Sequence, residues 1–217
     1  MDVKETMAAF EPFDVRKQAD ILGEAELPQA SVLVPLFVRS GKLHTLMTQR
    51  SEQLRVSAGE VCFPGGKRDS SDQDVVHTAL REAHEEIGLP PGDVHVICTL
   101  QPFITKNSLL VTPVVGFIPE SFLAIPNTAE VSAVFTVPLD FFIKSVTAAK
   151  ATSLSFDFVE PRTEVRYHIW GLTAMVAFIV ATIALTSKAE GHVTFDIEDL
   201  MCRLRQRLQQ TRTPSKL

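Results

Sequence analysis

The chain has 217 residues, of which 45% are hydrophobic and 22% charged, a composition typical of a folded globular protein and not of a disordered or collagen-like one. At this length a single large domain is expected. The 21 Lys and Arg residues against 26 Asp and Glu give a formal net charge of −5, so the chain lacks the basic excess with which dedicated nucleic-acid binders neutralise a phosphate backbone. We therefore expect no nucleic-acid partner. The net charge does not argue against a small phosphorylated ligand.

The first predicted elements form a β-hairpin. Apolar segments at residues 30–38 and 43–49 are separated by Ser40 and Gly41, a pair typical of a tight turn. A short third strand is predicted at 61–63, directly before a proline and two glycines.

A helix is predicted from residue 74 to residue 87. Four apolar residues recur there at helical spacing and are expected to face the core: Val76, Leu80, Ala83 and Ile87. Gly88 and the two prolines that soon follow it end the helix.

The rest of the chain continues with strands and helices in irregular order. Strands are predicted at 94–100, 109–118, 131–137, 154–159 and 165–170, with the last two as a candidate pair, and helices at 172–185 and 196–208. This order favours a mixed α/β sandwich over regular βαβ winding. No linker divides the chain, so we place one domain at 29–208, preceded by an N-terminal helical segment at 1–28 and followed by a tail at 209–217.

Residues 169–187 contain no charged residue, so a membrane-spanning helix is one hypothesis for this segment. A spanning helix needs roughly 20 mainly apolar residues, and this run is at the short limit and contains Gly171, Thr173, Thr182 and Thr186. We therefore expect a buried core helix and no membrane span.

The cysteines and the two ends of the chain indicate a compartment. Cys62, Cys98 and Cys202 show no C-x-x-C spacing, which favours neither a disulfide framework nor a zinc site and suits a reducing interior. The first 22 residues lack the apolar stretch of a secretory signal, so export is not expected. The chain closes on Ser215, Lys216 and Leu217, the tripeptide that the peroxisomal import receptor reads, so the peroxisomal matrix is the expected location.

Acidic residues cluster on the helix predicted at 74–87. Glu82, Glu85 and Glu86 stand at i, i+3 and i+4 and fall within an arc of about 100°, on the side opposite the apolar residues. Alone, such a cluster is typical of a solvated helix face. Upstream, however, Gly65 and Gly66 permit a tight turn that brings the backbone close to a bound ion or phosphate. Mg²⁺ prefers oxygen ligands and bridges carboxylates to phosphates, so the combination predicts a divalent-metal phosphate site.

This segment resembles the box of the Nudix hydrolase family. The second half of the box is complete here: Arg81, Glu82, Ala83, Glu85, Glu86, Gly88 and Leu89. The first half departs from it, because 14 residues separate Gly66 from Arg81, one more than in the box. The role of the upstream carboxylate is therefore open among Asp69, Asp72 and Asp74.

A second motif is similar to the extended signature of the coenzyme A branch of that family. It comprises Leu46, Thr48, Arg50, Ser51, Arg55, Gly59, Phe63, Pro64, Gly65 and Gly66, with Met47 as a conservative deviation. The resemblance implies a Nudix fold, an α/β/α sandwich with a mixed sheet. It also implies hydrolysis of the diphosphate linkage of coenzyme A and acyl-CoA esters with Mg²⁺ or Mn²⁺. The products would be adenosine 3′,5′-bisphosphate and (acyl-)4′-phosphopantetheine.

Two alternatives to this activity stay open. A Nudix pyrophosphatase could act on NADH or another dinucleotide, and a non-catalytic Nudix module could bind coenzyme A without turning it over. The intact glutamates of the box favour an enzyme over the second alternative.

The family pattern also implies roles for the acidic cluster. Glu82 and Glu86 would be direct metal ligands, and Glu85 would be either a further ligand or a catalytic base that acts through water. We assign Arg81 to orienting a neighbouring glutamate through a charge-assisted hydrogen bond, with direct contact to a substrate phosphate as the alternative.

Four cations are candidates for binding the substrate's phosphates, including the 3′-phosphate of coenzyme A. Arg50 and Arg55 belong to the branch signature, with Arg55 preferred, and Lys67 and Arg68 follow the glycine pair. An arginine fork can grip a phosphate through two hydrogen bonds. Gly65 and Gly66 are expected to contact substrate through their backbone, whereas any one of the four cations could instead be an ordinary solvated charge.

Overall fold

The computed structural model describes residues 2–17, 27–145 and 154–186, together with Asp199 and Cys202. The α-helices within this part are α1 (Val3–Phe10), α2 (Val75–Ile87), α3 (Leu139–Lys144) and α4 (Gly171–Thr186). The strands are β1 (Gln29–Arg39), β2 (Lys42–Arg50), β3 (Val61–Cys62), β4 (Gly65–Lys67), β5 (His95–Thr99), β6 (Phe103–Ile104), β7 (Leu110–Phe117), β8 (Val131–Pro138), β9 (Ser155–Val159) and β10 (Arg166–Trp170). Short 3₁₀ helices occur at Glu11–Phe13, Val15–Lys17 and Pro91–Asp93.

The strands form one mixed sheet and a separate hairpin. The eight strands of the sheet follow the order β3-β2-β1-β7-β5, with β4 beside β1, β6 beside β7 and β8 beside β2. The pairing of β1 with β7 is parallel, and the other pairings are antiparallel. The strands β9 and β10 form an antiparallel hairpin.

Side chains that alternate along β1 divide the core between the two faces of the sheet. Leu33 and Phe37 pack with α2 in the smaller hydrophobic cluster. Val34 and Leu36 belong to the larger cluster, which contains residues of α1, α3, α4 and the β9–β10 hairpin. The sheet thus lies between two layers, and the predicted α/β/α sandwich is confirmed.

The N-terminal helix is part of this core. Phe10 is fully buried in the larger cluster. Further along, the buried carboxylate of Asp14 accepts a hydrogen bond from the backbone N–H of Thr99 at 3.1 Å and pairs with Arg16 at 2.8 Å. These contacts fix the N-terminal part of the chain to β5, an end strand of the sheet order. The division of the chain at residues 28 and 208 stays a prediction.

The uncharged run of the sequence forms α4, and the prediction of a core helix is confirmed. Its residues from Val176 to Ala181 are all buried in the larger cluster. Thr182 Oγ1 donates a hydrogen bond to the carbonyl oxygen of Phe178 at 2.7 Å, so this hydroxyl is satisfied within the helix. In the described part of the chain, no helix is long and apolar enough to cross a membrane.

Most elements lie within one or two residues of their predicted positions, and the hairpin turn is one example. Ser40 and Gly41 take positive φ angles of 50° and 73° and join Arg39 to its partner Lys42. The strand β4 and the short elements β6 and α3 were not predicted. Of the helix predicted at 196–208, only two residues are described, and the terminal tripeptide lies outside the described residues.

Candidate active site

The helix α2 carries the acidic cluster, and local interactions fix both of its ends. The side chain of Asp74 accepts a hydrogen bond from the backbone N–H of His77 at 2.8 Å, which caps the N-terminus. Gly88 ends the helix in a left-handed conformation with φ of 70°. The predicted start and stop of this helix are confirmed.

The buried side of α2 differs from the prediction. It is formed by Val75, Thr78, Ala79, Ala83, Glu86 and Ile87. Of the four apolar residues predicted to face the core, Ala83 and Ile87 do, whereas Val76 and Leu80 are half-buried at its margin. The expectation of opposite acidic and apolar sides was therefore wrong. Glu86 is 2% exposed and belongs to the buried side, because β4 offers a polar partner there.

That partner is the glycine pair of β4. The backbone N–H of Gly65 donates a hydrogen bond to Oε2 of Glu86 at 3.1 Å. A Cβ atom on Gly65 would lie 2.6 Å from the Cα of Val32 in the adjacent β1, and a Cβ on Gly66 would collide with the carboxylate of Glu82. Only glycines therefore let β4 approach both β1 and the two carboxylates.

Burial and neighbouring charges act together on these carboxylates. Burial, together with the smaller effects of the negative charges of Glu82 and Glu130, raises the pKa of Glu86 to about 7, against the opposing effects of the Gly65 N–H and the positive charge of Arg50. Burial also raises the pKa of Glu82, although Arg81 opposes this shift. Negative charge is therefore concentrated at one partly buried point that a cation would stabilise.

Of the three upstream aspartates, Asp72 is the one that contacts Arg81 of the box. Asp72 is buried, and its two carboxylate oxygens accept hydrogen bonds from Nε and Nη2 of Arg81, both at 2.9 Å. It also accepts from the Thr78 hydroxyl and the backbone N–H of Asp69, both at 2.9 Å. The hydrogen bonds from Arg81 hold the pKa of Asp72 well below its ordinary value. Of the other two aspartates, Asp69 is exposed and hydrogen-bonds to Ser71, and Asp74 is the helix cap described above.

Arg81 connects this buried anchor to the acidic cluster. Its Nη1 lies 2.9 Å from Oε1 of Glu82 and 3.0 Å from Oε2 of Glu85. The side chain of Glu85 is 51% exposed, in contrast to that of Glu86. The guanidinium group thus contacts both glutamates, and its role in orienting one of them stays a prediction.

A loop distant in sequence brings a fourth carboxylate to the cluster. Glu130 contributes to the raised pKa of both Glu82 and Glu86. The backbone N–H of Asn127 donates to the carbonyl oxygen of Glu86 at 2.9 Å, and the Asn127 side-chain amide donates to Oε1 of Glu130 at 3.2 Å. No sequence signal identified this residue, because it belongs to no motif and precedes an ordinary strand.

The four predicted cations occupy different environments. Arg50 lies within electrostatic range of Glu86, and its Nε is buried without a hydrogen-bond partner in the described structure. Arg55 and Lys67 are exposed. The guanidinium group of Arg68 donates to Oε1 of Gln29 at 3.1 Å and to the carbonyl oxygens of Asp72 and Gln73 at 3.3 Å and 3.1 Å, so it braces the loop before α2.

The donor set suits a hard divalent cation. Within residues 2–17, 27–145 and 154–186, no three His, Cys, Asp or Glu side chains form a ready-made ligand group. Mg²⁺ is commonly held by one or two carboxylates together with substrate phosphates and waters. Glu82 and Glu86, with oxygen donors and raised pKa values, match that kind of site.

Comparison with known proteins identifies the family. Residues 27–154 match the model of the NUDIX domain. The chain belongs to the Nudix hydrolase family, whose members generally require divalent metal ions.

Two curated proteins and one solved structure resemble the chain over more than half of its length. It is 46% identical to the peroxisomal coenzyme A diphosphatase NUDT7 of Mus musculus, over 79% of this chain and 76% of that protein. It is 39% identical to Nudix hydrolase 15, mitochondrial, of Arabidopsis thaliana, over 71% of this chain and 58% of that protein. Among solved structures, the Nudix hydrolase RenU of M. Smegmatis matches 54% of this chain and 73% of its own, with 24% identity and a TM-score of 0.46.

Proposed function

We propose that this chain hydrolyses the diphosphate linkage of coenzyme A and acyl-CoA esters, giving adenosine 3′,5′-bisphosphate and (acyl-)4′-phosphopantetheine. The observation that carries the proposal is the pairing of the buried Glu86 carboxylate with the Gly65 N–H, beside the unpaired Nε of Arg50. It is supported by the similarity to the coenzyme A diphosphatase of Mus musculus.

Glu82 and Glu86 hold the divalent ion in this proposal, either Mg²⁺ or Mn²⁺. The chemistry that such an ion supplies when bound is neutralisation of the diphosphate charge and Lewis-acid activation of water. Arg81, anchored by Asp72, orients Glu82. Glu85 and Glu130 are the remaining carboxylates that could accept a proton from the attacking water.

The cations near the glycine pair bind the rest of the substrate. Arg50 is half-buried, and its positive charge acts on Glu86, so its guanidinium group is the candidate donor to a diphosphate oxygen. Arg55 and Lys67 are exposed and available for the 3′-phosphate. Arg68 contributes through the loop that it braces, and Gly65 and Gly66 allow the close approach of the substrate.

We place this activity in the peroxisomal matrix, with import through Ser215, Lys216 and Leu217. The similarity to a peroxisomal protein supports this location. Deletion of the three residues from a fluorescent fusion should leave the protein in the cytosol. Continued import of the deleted form would show that the tripeptide is idle.

Product analysis tests the activity. Purified protein is incubated with coenzyme A, acetyl-CoA or NADH, with Mg²⁺, with Mn²⁺ or with a chelator, and the products are separated and weighed by mass spectrometry. Adenosine 3′,5′-bisphosphate that appears only with a divalent ion supports the proposal. Preferential cleavage of NADH would identify a dinucleotide pyrophosphatase instead, and binding of coenzyme A without turnover would identify a non-catalytic module.

A further inference from the structure

The loop that carries Glu130 also displays an apolar surface. Leu123 and Ile125 are 84% and 75% exposed, the highest values among the large hydrophobic side chains of the described residues. Isolated exposed aliphatic residues are normal, but two on one short segment near a candidate active site indicate a binding surface for an apolar group.

This surface is held in place by the fold. Phe122 and Ala124 pack against the smaller hydrophobic cluster, whereas Leu123 and Ile125 are exposed, so buried and exposed side chains alternate along the segment. The backbone N–H of Ile125 donates to the carbonyl oxygen of Ile87 at 2.9 Å. The outward direction of the pair is therefore built into the structure.

The apolar pair lies close to the C-terminal end of α2, the helix that carries Glu82 and Glu86. Ile125 is tied to the last residue of α2, and two residues further on Asn127 is tied to Glu86. At no more than about 3.6 Å per residue, the Cα of Ile125 lies within roughly 7 Å of that of Asn127 and the Cα of Leu123 within roughly 14 Å. The surface is therefore within reach of an arm that extends from a diphosphate bound at Glu86.

We infer that Leu123 and Ile125 bind the apolar acyl chain of acyl-CoA substrates, which rests on the proposed function. The local charges favour this occupant over an anionic membrane. Residues 121–129 contain no charged side chain, and Glu120 and Glu130 border them. A neutral alkyl chain suits such a surface, whereas anionic lipid would be repelled by its acidic borders and by the net charge of −5.

The test compares the double variant Leu123→Ser/Ile125→Ser with the wild type on decanoyl-CoA and on free coenzyme A. The KM for decanoyl-CoA should rise at least about tenfold, as expected for about two methylene groups left in water, and the KM for coenzyme A should stay unchanged. The matched control is Val159→Ser, on the β9–β10 hairpin, where the valine is 45% exposed. It should alter neither KM.

Three outcomes would overturn the inference. Equal KM changes for the two substrates, or none, would show that the pair does not contact the acyl chain. Conversion of a wild-type dimer into a monomer by the double change, with KM values unaltered, would identify a surface for a second copy of the chain. Loss of vesicle cosedimentation with unaltered KM values would identify a membrane contact. A wild type that cleaves neither compound would instead contradict the proposed function itself.

Discussion

The backbone N–H of Gly65 donates a hydrogen bond to the carboxylate of Glu86 at 3.1 Å, which joins a short strand to the helix that follows it in the chain. This bond turns Glu86 toward the sheet and separates it from the exposed Glu85, although the two are adjacent in sequence. One helix thereby presents glutamates in two environments. The buried member and Glu82 are the proposed metal ligands, and the exposed member, paired with Arg81, faces water.

Gly66→Ala tests the close approach of β4 to the helix. The added Cβ would collide with the Glu82 carboxylate, so we expect the carboxylate to move and kcat to fall by at least about tenfold, while circular dichroism stays unchanged. Gly92→Ala is the matched control, because a Cβ there has nothing within 4 Å. Full activity of Gly66→Ala would argue against Glu82 as a ligand.

Asp72→Asn tests the anchor of Arg81. The change replaces a buried charged partner of a largely buried guanidinium group, and we expect a loss of about 2–3 kcal/mol in the free energy of unfolding together with reduced activity. Chemical denaturation measures the loss. Asp69→Asn, at an exposed residue of the same loop, should change the free energy of unfolding much less.

The pairing of Asp72 with Arg81 also predicts that the stability of the protein depends on pH. The pKa of Asp72 is lower in the folded protein than its ordinary value of 3.8, so its stabilisation is complete above that value and is lost as the pH falls below it. The difference in unfolding free energy between wild type and Asp72→Asn should therefore be present at neutral pH and shrink toward about pH 2. A difference that grows on acidification would contradict the ion pair.

Arg50→Met tests the unpaired donor near Glu86. Loss of the diphosphate contact should raise the KM for coenzyme A by about tenfold or more, as expected for a charge-assisted hydrogen bond. The melting temperature should change little, because loss of the Arg50 charge near Glu86 opposes the removal of a buried Nε–H that has no partner. In the control Arg68→Met, loss of the hydrogen bonds to Gln29 and Gln73 should lower the melting temperature. An unchanged KM for Arg50→Met would place the diphosphate elsewhere.

Local sequence signals were sufficient for the regular elements. The hairpin turn at Ser40 and Gly41 and the ends of α2 at Asp74 and Gly88 follow from turn and capping chemistry. The strand β4 was missed because its sequence, Gly65–Lys67, lacks strand-forming residues, and pairing with β1 makes it a strand. The short helix α3 has only 6 residues, too few for a periodic pattern.

The site itself was only partly predictable. The box places Glu82 and Glu86 on α2, but the buried position of Glu86 depends on the backbone of β4. The choice of Asp72 depends on how the loop folds around the extra residue, and spacing alone left three aspartates open. Glu130 is 44 residues from Glu86 in the sequence and reaches the cluster only through loop contacts that no local pattern encodes.

In the proposed function, buried glutamates beside a glycine turn support metal-dependent cleavage of a diphosphate. The most direct measurement compares kcat on coenzyme A at saturating Mg²⁺ for the wild type and Glu86→Gln, with Glu5→Gln on α1 as a control far from the site in sequence. We predict that Glu86→Gln lowers kcat by a factor on the order of 10² to 10⁴ and leaves the protein folded, because an ion ligand is lost and the core packing is kept. Activity of Glu86→Gln within about twofold of the wild type would contradict the account.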